Sequence, residues 1–293
     1  MRSAIDVSPE PHMPTIEAYT LRQEPAVRAP VIFASPHSGT IYPNSMRDLL
    51  CVPLADLQRT EDAFVDELYL PAVQHGAILL SANYARGFVD LNRDARELDA
   101  SMFHDGLPRT AGMPSARVKA GLGCFPRVGA SGRDIYAAQI SKQDGIFRLD
   151  AIYDRYHAAL QAQIDRLKAD WSDIVIIDCH SMPSRQPGKS SMPDFVLGDR
   201  FGSSCSSKLT SKVERRLRRE GLSVTRNAPY AGGYTTRRYG RPRRGIHVLQ
   251  IEINRGLYMN ELKVEKSAGF ERLSAQISGL IEDIVDFGLH ENA

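Results

Sequence analysis

Two histidines follow short apolar runs that have the pattern of buried strands. Val31–Ser35 leads into His37, and residues 174–177 lead into His180. Imidazoles at the ends of neighbouring strands can reach one metal ion, and a carboxylate is a common third ligand of a catalytic zinc site. A single histidine at a strand end is more often a hydrogen-bonded structural residue, so this spacing alone is weak evidence for a metal site.

Acidic residues supply the other candidate groups. The sequence has no HExxH motif, so we look elsewhere for the third ligand, and Asp62 or Glu61 at the start of a predicted helix is the leading choice. An acid at that position also interacts favourably with the helix dipole, and this structural role explains the presence of the acid equally well. Glu252 lies inside an apolar run. Because burying an unpaired charge is costly, Glu252 either forms an ion pair, for example with Arg255, or faces a polar cavity where it can transfer protons.

Alternating strand and helix patterns predict the scaffold that positions these residues. Apolar runs predict strands at residues 31–35, 77–82, 87–91, 174–177 and 247–253. Apolar residues at helical spacing predict helices that contain Val65, Ile152, Leu209 and Phe270. The alternation predicts an α/β fold with helices on both faces of the sheet. Ligands bind beyond the carboxyl ends of strands in such folds, which is where His37, Arg93 and His180 fall.

Composition limits the functional classes and the compartment. The formal net charge of +2 over 293 residues is too even to favour nucleic-acid or membrane-surface binding. Four widely spaced cysteines without a CxxC pair favour a reducing compartment. We find no signal-peptide core and no run near the ~20 apolar residues of a membrane span. We therefore expect a cytoplasmic monomer or homodimer, with residues 1–25 as a polar leader and residues 26–293 as a single domain.

Six groups of residues carry a more specific signal because they occur in one order along the chain. They are PHSG (36–39) with YP (42–43), ED (61–62) with VDEL (65–68), RGFVDLNRD (86–94), DCHSMP (178–183), NAPYAGG (227–233), and LQIEINR (249–255) with LYM (257–259). Several motifs in one order are far more specific than any one of them. Together they resemble the N-formylglutamate amidohydrolase family.

The resemblance implies a fold, a cofactor and a reaction. The fold would be a mixed, mostly parallel central sheet with helices on both faces, as in zinc carboxypeptidases. One Zn²⁺ per chain would be held by His37, His180 and Asp62, with Glu252 as general base for zinc-activated water. The peptidases take their metal carboxylate three residues after the first histidine, where this chain has Thr40. Asp62 is therefore inferred from the family motif.

The implied substrate is a small acidic N-acyl amino acid, N-formyl-L-glutamate or a similar compound, cleaved during histidine degradation. Asn92 and Arg93 resemble the Asn-Arg pair that holds a substrate carboxylate in the peptidases, and Arg93 would form a forked bond. Arg86 is a further substrate-binding candidate, although a role in tying its loop to Asp90 or Asp94 explains it at least as well. The basic run at residues 237–244 is most simply a solvated surface, but Arg237 could close over the second carboxylate.

Two other functions remain open. The first is a zinc carboxypeptidase-like hydrolase of peptides, and the second is a non-catalytic module whose basic run docks an acidic partner or RNA. Residues 97–143 are rich in Gly, Pro and Arg and lack periodicity, so they predict a long functional loop. A loop folded over the metal would favour a small substrate, whereas an open groove would favour a peptide.

Overall fold

Seven strands form one sheet in the computed structural model, which describes residues 17–186, 188 and 191–291. The strands are β1 (Tyr19–Arg22), β2 (Val31–Ser35), β3 (Ile78–Ala82), β4 (Ile174–Met182), β5 (Phe195–Gly198), β6 (Val224–Arg226) and β7 (Ile246–Asn254). Their order is β1-β3-β2-β4-β7-β5-β6. The β1–β3 and β5–β7 pairs are antiparallel and the other four pairs are parallel. The predicted mixed, mostly parallel sheet is confirmed.

Helices and a small hairpin complete the described part of the chain. The helices are α1 (Asn44–Arg47), α2 (Leu54–Gln58), α3 (Val65–Leu68), α4 (Ala116–Lys119), α5 (Lys142–Phe147), α6 (Asp154–Asp170), α7 (Ser207–Arg219), α8 (Tyr234–Tyr239) and α9 (Phe270–His290). Short 3-10 turns lie at Leu70–Ala72, Ala100–Met102, Pro242–Arg244 and Arg255–Leu257, a π-helical turn at Arg148–Tyr153, and the hairpin strands β8 and β9 at Met259–Asn260 and Glu265–Lys266. None of the helices described is both long and apolar enough to cross a membrane.

Alternate side chains of the central strands enter two apolar cores. Ile32 of β2 packs in one core with α6, whereas the neighbouring Phe33 packs in the other core with α7 and α9. This division follows from the two-residue period of a strand, which points successive side chains to opposite faces. The predicted placement of helices on both faces is confirmed.

Residues 87–91 are not a strand, so that prediction is wrong. Phe88 and Val89 donate their backbone N–H groups to the carbonyl of Ala85 in a turn, and Asp90 donates to Cys124 at 2.8 Å. The apolar residues of the run are buried. They are covered by neighbouring turns and by part of the segment at residues 97–143, so their apolar character reflects burial without strand pairing.

The boundary predicted for the polar leader is also corrected. Tyr19–Arg22 forms edge strand β1, and Leu21 pairs with Leu80 in antiparallel register. All four residues of β1 are half-buried, as is common for an edge strand, so they do not form the apolar run that would have marked a strand in the sequence. Residues 1–16 of the predicted leader lie outside the described residues.

Candidate metal centre and active site

The carboxyl ends of three adjacent parallel strands carry the main candidate residues. His37 follows β2 by two residues, His180 is near the end of β4, and Glu252 is near the end of β7. His180 and Glu252 are direct partners in the register of β4 and β7. Because β2, β4 and β7 are neighbours in the sheet, their ends form one edge at which these side chains can meet.

Two backbone contacts fix the loop that carries His37. A Cβ atom at Gly39 would lie 2.2 Å from the carbonyl oxygen of Tyr84, so the close approach of the loop to the chain after β3 requires glycine. The carbonyl of His37 accepts the backbone N–H of Asp62 at 3.0 Å. This hydrogen bond brings the acid-bearing turn beside the imidazole.

His37, Asp62 and His180 are all buried and offer ligand atoms within 4.8 Å of one another. Nδ1 of His180 lies 2.9 Å from Oδ2 of Asp62, and Nδ1 of His37 lies 3.4 Å from the same oxygen. Nδ1 of His37 is buried and forms no hydrogen bond within the described residues. An orphaned ring nitrogen beside a second imidazole and a carboxylate fits the donor set that zinc prefers.

An aspartate lies against the outer nitrogen of each ring. Nε2 of His37 is 2.7 Å from Oδ1 of Asp90, and Nε2 of His180 is 3.0 Å from Oδ1 of Asp178. Such partners fix the orientation and tautomer of metal-binding histidines. The sequence analysis did not predict either aspartate as the partner of a histidine. Asp178 could have been found, because it stands two residues before His180 and therefore shares its strand face.

Asp62 is held from both sides. Arg255 donates from Nη2 to Oδ1 of Asp62 at 2.9 Å, while Oδ2 faces the histidines. Burial by itself would raise the pKa of Asp62, but the two histidines lower it well below its usual value. The ion pair suggested between Arg255 and Glu252 is therefore wrong, since Arg255 pairs with Asp62.

The alternative third ligand, Glu61, is engaged elsewhere. It accepts a hydrogen bond from the hydroxyl of Tyr42, and burial raises the pKa of Glu61 to about 7. Its carboxylate is not part of the group formed by the two histidines and Asp62. Of the two acids left open by the sequence, Asp62 is the one that lies with the histidines.

Glu252 is buried and lines the same pocket. Burial raises the pKa of Glu252 to about 8. Nε2 of Gln250 donates to Oε1 of Glu252 at 2.8 Å, and Oε1 of Gln250 accepts the backbone N–H of Gly233 at 2.7 Å. The Gly233 contact sets which end of the Gln250 amide faces Glu252, so the carboxylate is held by a donor of fixed orientation.

Asn92 lines the pocket, but its side-chain amide is bonded within the protein. Oδ1 accepts both the backbone N–H of Thr235 at 2.8 Å and its hydroxyl at 3.0 Å. Nδ2 donates to Oδ2 of Asp178 at 3.2 Å and lies 2.9 Å from Nε2 of His180. A Cβ atom at Gly233 would lie 2.4 Å from this amide, so only glycine fits there. Asn92 thus connects α8 to the outer side of His180.

The three predicted arginines occupy different positions. Arg93 lines the pocket and donates from Nε to the carbonyl of Leu122 at 3.1 Å. Arg86 also lines it, is 2.9 Å from Asp90 and is 3.9 Å from Asp62. Arg237 does not line the pocket in the described part of the chain. Its side chain is 56% exposed and lies 3.4 Å from Asp94.

The pocket has a volume of about 580 Å³, a size suited to a small ligand. Part of its wall comes from the long segment at residues 97–143, which contributes Arg117, Leu122, Pro126, Val128, Gly129, Ala130 and Ile135. The segment therefore forms part of the wall of the pocket that His37, Asp62 and His180 line.

Known proteins resemble the chain over most of its length. Residues 29–259 match the family model for N-formylglutamate amidohydrolase. The chain is 29% identical over 268 residues to an N-formylglutamate deformylase of Pseudomonas aeruginosa, covering 89% of this chain and 94% of the relative. It is 30% identical over 241 residues to an N-formylglutamate deformylase of Pseudomonas putida, covering 80% of this chain and 83% of the relative.

A solved structure agrees with these sequence matches. The crystal structure of N-formylglutamate amidohydrolase from Ralstonia eutropha JMP134 superposes with a TM-score of 0.87 at 31% identity. The superposition covers 94% of this chain and all of the other. With a family match that includes every residue of the candidate site, the chain belongs to the N-formylglutamate amidohydrolase family.

Proposed function

We propose that this amide hydrolase cleaves N-formyl-L-glutamate, or a similar N-acyl amino acid, to the free amino acid and a carboxylic acid. Family membership supports the reaction class. The observation that carries the proposal is that the Nδ1 atoms of His37 and His180 face one oxygen of Asp62 in a pocket that Glu252 also lines. A metal site and a buried proton acceptor then face one cavity of small-molecule size.

We assign one Zn²⁺ to His37, Asp62 and His180. When bound, zinc supplies a Lewis acid that polarises an amide carbonyl and makes water more acidic. The histidines can offer neutral Nδ1 atoms because an aspartate lies against the outer nitrogen of each ring. Asp62 can offer an anionic Oδ2 because Arg255 engages its other oxygen. Two nitrogens and one oxygen are a common ligand set for zinc in hydrolases.

Glu252 is the proposed base. Its pKa, raised by burial, makes it a stronger proton acceptor than an exposed glutamate. It takes a proton from the attacking water as the new C–O bond forms, and gives that proton to the nitrogen as the C–N bond breaks. For the N-formyl substrate the products are formate and L-glutamate. Gln250 keeps the carboxylate oriented during both transfers.

Two arginines bind substrate in this proposal. Arg93 forms a forked pair with the α-carboxylate, because its guanidinium faces the pocket and only its Nε has a partner among the described residues. Arg86 is held by Asp90 beside the metal site, where its charge stabilises the negative charge that develops on the amide oxygen. Asn92 acts as a positioning residue for His180, since its amide atoms already have protein partners.

The test is release of the free amino acid by the purified, zinc-loaded protein. N-formyl, N-acetyl and peptide derivatives of glutamate and aspartate are compared, with reactions that contain no protein as the background. We expect the N-formyl derivative of glutamate to have the highest kcat/KM. A peptide derivative that reacts faster would favour the peptidase alternative. Rates no higher than this background on every compound would reject the hydrolase proposal.

A further inference from the structure

The charges around the pocket do not balance. Within the described part of the chain, five arginines line it, Arg59, Arg86, Arg93, Arg117 and Arg255, together with three acids, Asp62, Asp90 and Glu252. Three of the arginines have aspartate partners, in the pairs Arg59–Asp56, Arg86–Asp90 and Arg255–Asp62. Among the residues that the structure describes, neither Arg93 nor Arg117 has an acidic group within the 4.0 Å of an ion pair. Two guanidinium groups therefore line the cavity without an acidic partner at ion-pair distance among the described residues.

These two arginines are neighbours in the fold. Nε of Arg93 donates to the carbonyl of Leu122, whose own N–H donates to the carbonyl of Arg117 at 2.8 Å. Burial lowers the pKa of Arg93, the negative charges of Asp90 and Glu97 raise it, and the positive charges of Arg117 and Arg86 lower it further. The like charges thus act on each other across the pocket wall, and an anion between them would relieve the repulsion.

The two arginines approach the pocket from different elements. Arg93 follows the turn after β3, and its carbonyl is fixed by the hydroxyl of Tyr153 at 2.7 Å. Arg117 is exposed and lies on α4, within the long segment that forms part of the wall. The N-cap of α4, Ser115, donates to Glu97 at 2.8 Å and fixes the helix to the start of that segment. A ligand with two separated carboxylates could therefore contact both arginines.

We propose that Arg117 binds the side-chain carboxylate of a dicarboxylic N-acyl amino acid while Arg93 binds its α-carboxylate. The inference rests on the proposed function and deepens it, because it makes Arg117 the residue that selects an acidic side chain. It replaces Arg237 in that role, since Arg237 lies outside the pocket lining and beside Asp94. A substrate with a neutral side chain leaves Arg117 hydrated, so the expected preference is moderate.

The test compares Arg117→Gln with Lys119→Gln, which removes the same charge from the same short helix at a residue that does not line the pocket. Each zinc-loaded protein is assayed on N-formyl-L-glutamate and N-formyl-L-glutamine. Arg117→Gln should lower kcat/KM for the glutamate compound by ~10- to 100-fold, as expected for one charged hydrogen bond, with little change for the glutamine compound. Lys119→Gln should resemble wild type on both. Equal losses on the two substrates, or no loss on either, would overturn the assignment.

Binding measurements separate this inference from the proposed function. If the wild type releases formate from neither compound, the proposed function fails, and calorimetry with glutarate and its monoamide, glutaramate, then decides the role of Arg117. A wild-type preference for glutarate that is lost in Arg117→Gln supports the second carboxylate site. The absence of a preference in the wild type, or a preference unchanged in Arg117→Gln, contradicts it.

Discussion

His180 of β4 and Glu252 of β7 are direct partners across two parallel strands, so the sheet backbone places a proposed metal ligand beside the proposed base. The pair two residues earlier, Asp178 and Gln250, is in the same register. Residues two apart share a strand face, so all four side chains project together. Asp178 supports His180 and Gln250 supports Glu252, and a slip of one residue in either strand would turn its pair away from the pocket.

Replacing Glu252 with Gln tests this arrangement. The change preserves the shape and most packing but removes the proton acceptor, so kcat should fall by ~100-fold or more while zinc is retained. Steady-state kinetics and elemental analysis of the same preparation provide the two measurements. Activity within a few-fold of the wild type would exclude Glu252 as the base.

The sequence predicts those parts of the site that sit on strands with unbroken apolar runs. His180 and Glu252 lie near the ends of such runs, and His37 follows one closely, so their meeting at one sheet edge follows from parallel pairing. The hydrogen-bond and ion-pair partners of the site residues cannot be predicted in this way, because no local sequence pattern indicates them. Asp90 is 53 residues from His37, and Arg255 is 193 residues from Asp62.

One wrong prediction and one missed pocket residue have a common physical cause. Residues 87–91 are apolar because other segments cover them, and periodicity cannot distinguish that burial from strand pairing. The basic run suggested Arg237 by its charge density, whereas the pocket contains Arg117 from a segment without sequence periodicity. In both cases the outcome depends on which segment, distant in the sequence, packs against the residues concerned.

Loss of one imidazole should abolish stoichiometric zinc binding. We expect about one zinc per chain in the wild type and a large loss in His180→Ala, because the remaining two ligands hold the ion too weakly. His104→Ala is the matched control, since His104 is exposed and outside the metal group. Elemental analysis after dialysis against a chelator gives the stoichiometry. Full zinc in a folded His180→Ala variant would show that the ligand set is wrong.

Asn92→Ala distinguishes a positioning role from substrate binding. The change removes the donor to Asp178 and the acceptor for Thr235, so the outer side of His180 loses support. We expect zinc affinity to fall by ~10- to 100-fold, as for other partners of metal-binding histidines, with a small change in KM once zinc is saturating. Chelator competition measures the affinity. A raised KM with unchanged zinc affinity would instead support direct contact between Asn92 and the substrate.

A buried histidine outside the pocket should make stability depend on pH. His157 lies 2.9 Å from the Tyr239 hydroxyl and 3.0 Å from the Leu91 carbonyl, and burial, with a smaller effect of the Arg238 charge, lowers its pKa to about 3. In the unfolded chain the His157 imidazole becomes protonated below about pH 6.5, whereas in the folded chain it stays neutral until the pH approaches 3. Stability from this group is therefore present above pH 6.5 and is lost as the pH falls toward 3.

His157→Gln keeps a polar side chain but removes the titration. Denaturant unfolding of wild type and variant is measured at pH 7 and pH 5. Between these pH values, the free energy of unfolding of the wild type should fall by about 2 kcal/mol more than that of the variant. Other groups that titrate in this range, including the metal site, affect both proteins and cancel in the difference. Parallel losses in the two proteins would mean that His157 is protonated as readily in the folded state as in the unfolded chain.

Arg93→Lys tests recognition of the α-carboxylate. Lysine keeps the charge but loses the planar fork, and it also loses the Nε contact with Leu122 that orients the side chain. Transition-state binding should weaken by roughly 1 to 3 kcal/mol for an N-formyl amino acid with a free α-carboxylate. For the matching α-amide, which offers no carboxylate to Arg93, wild type and variant should be similarly poor.

The role of Arg93 is decided by comparing the rates on the free acid and on the α-amide. Values of kcat/KM for N-formyl-L-glutamate and its α-amide are measured with both zinc-loaded proteins, and zinc content is determined in parallel. A loss confined to the free acid identifies the α-carboxylate as the partner of Arg93, because every other contact is shared by the two substrates. Equal proportional losses would mean that Arg93 supports the pocket wall through Leu122, and carboxylate recognition would then pass to Arg117 or Arg86.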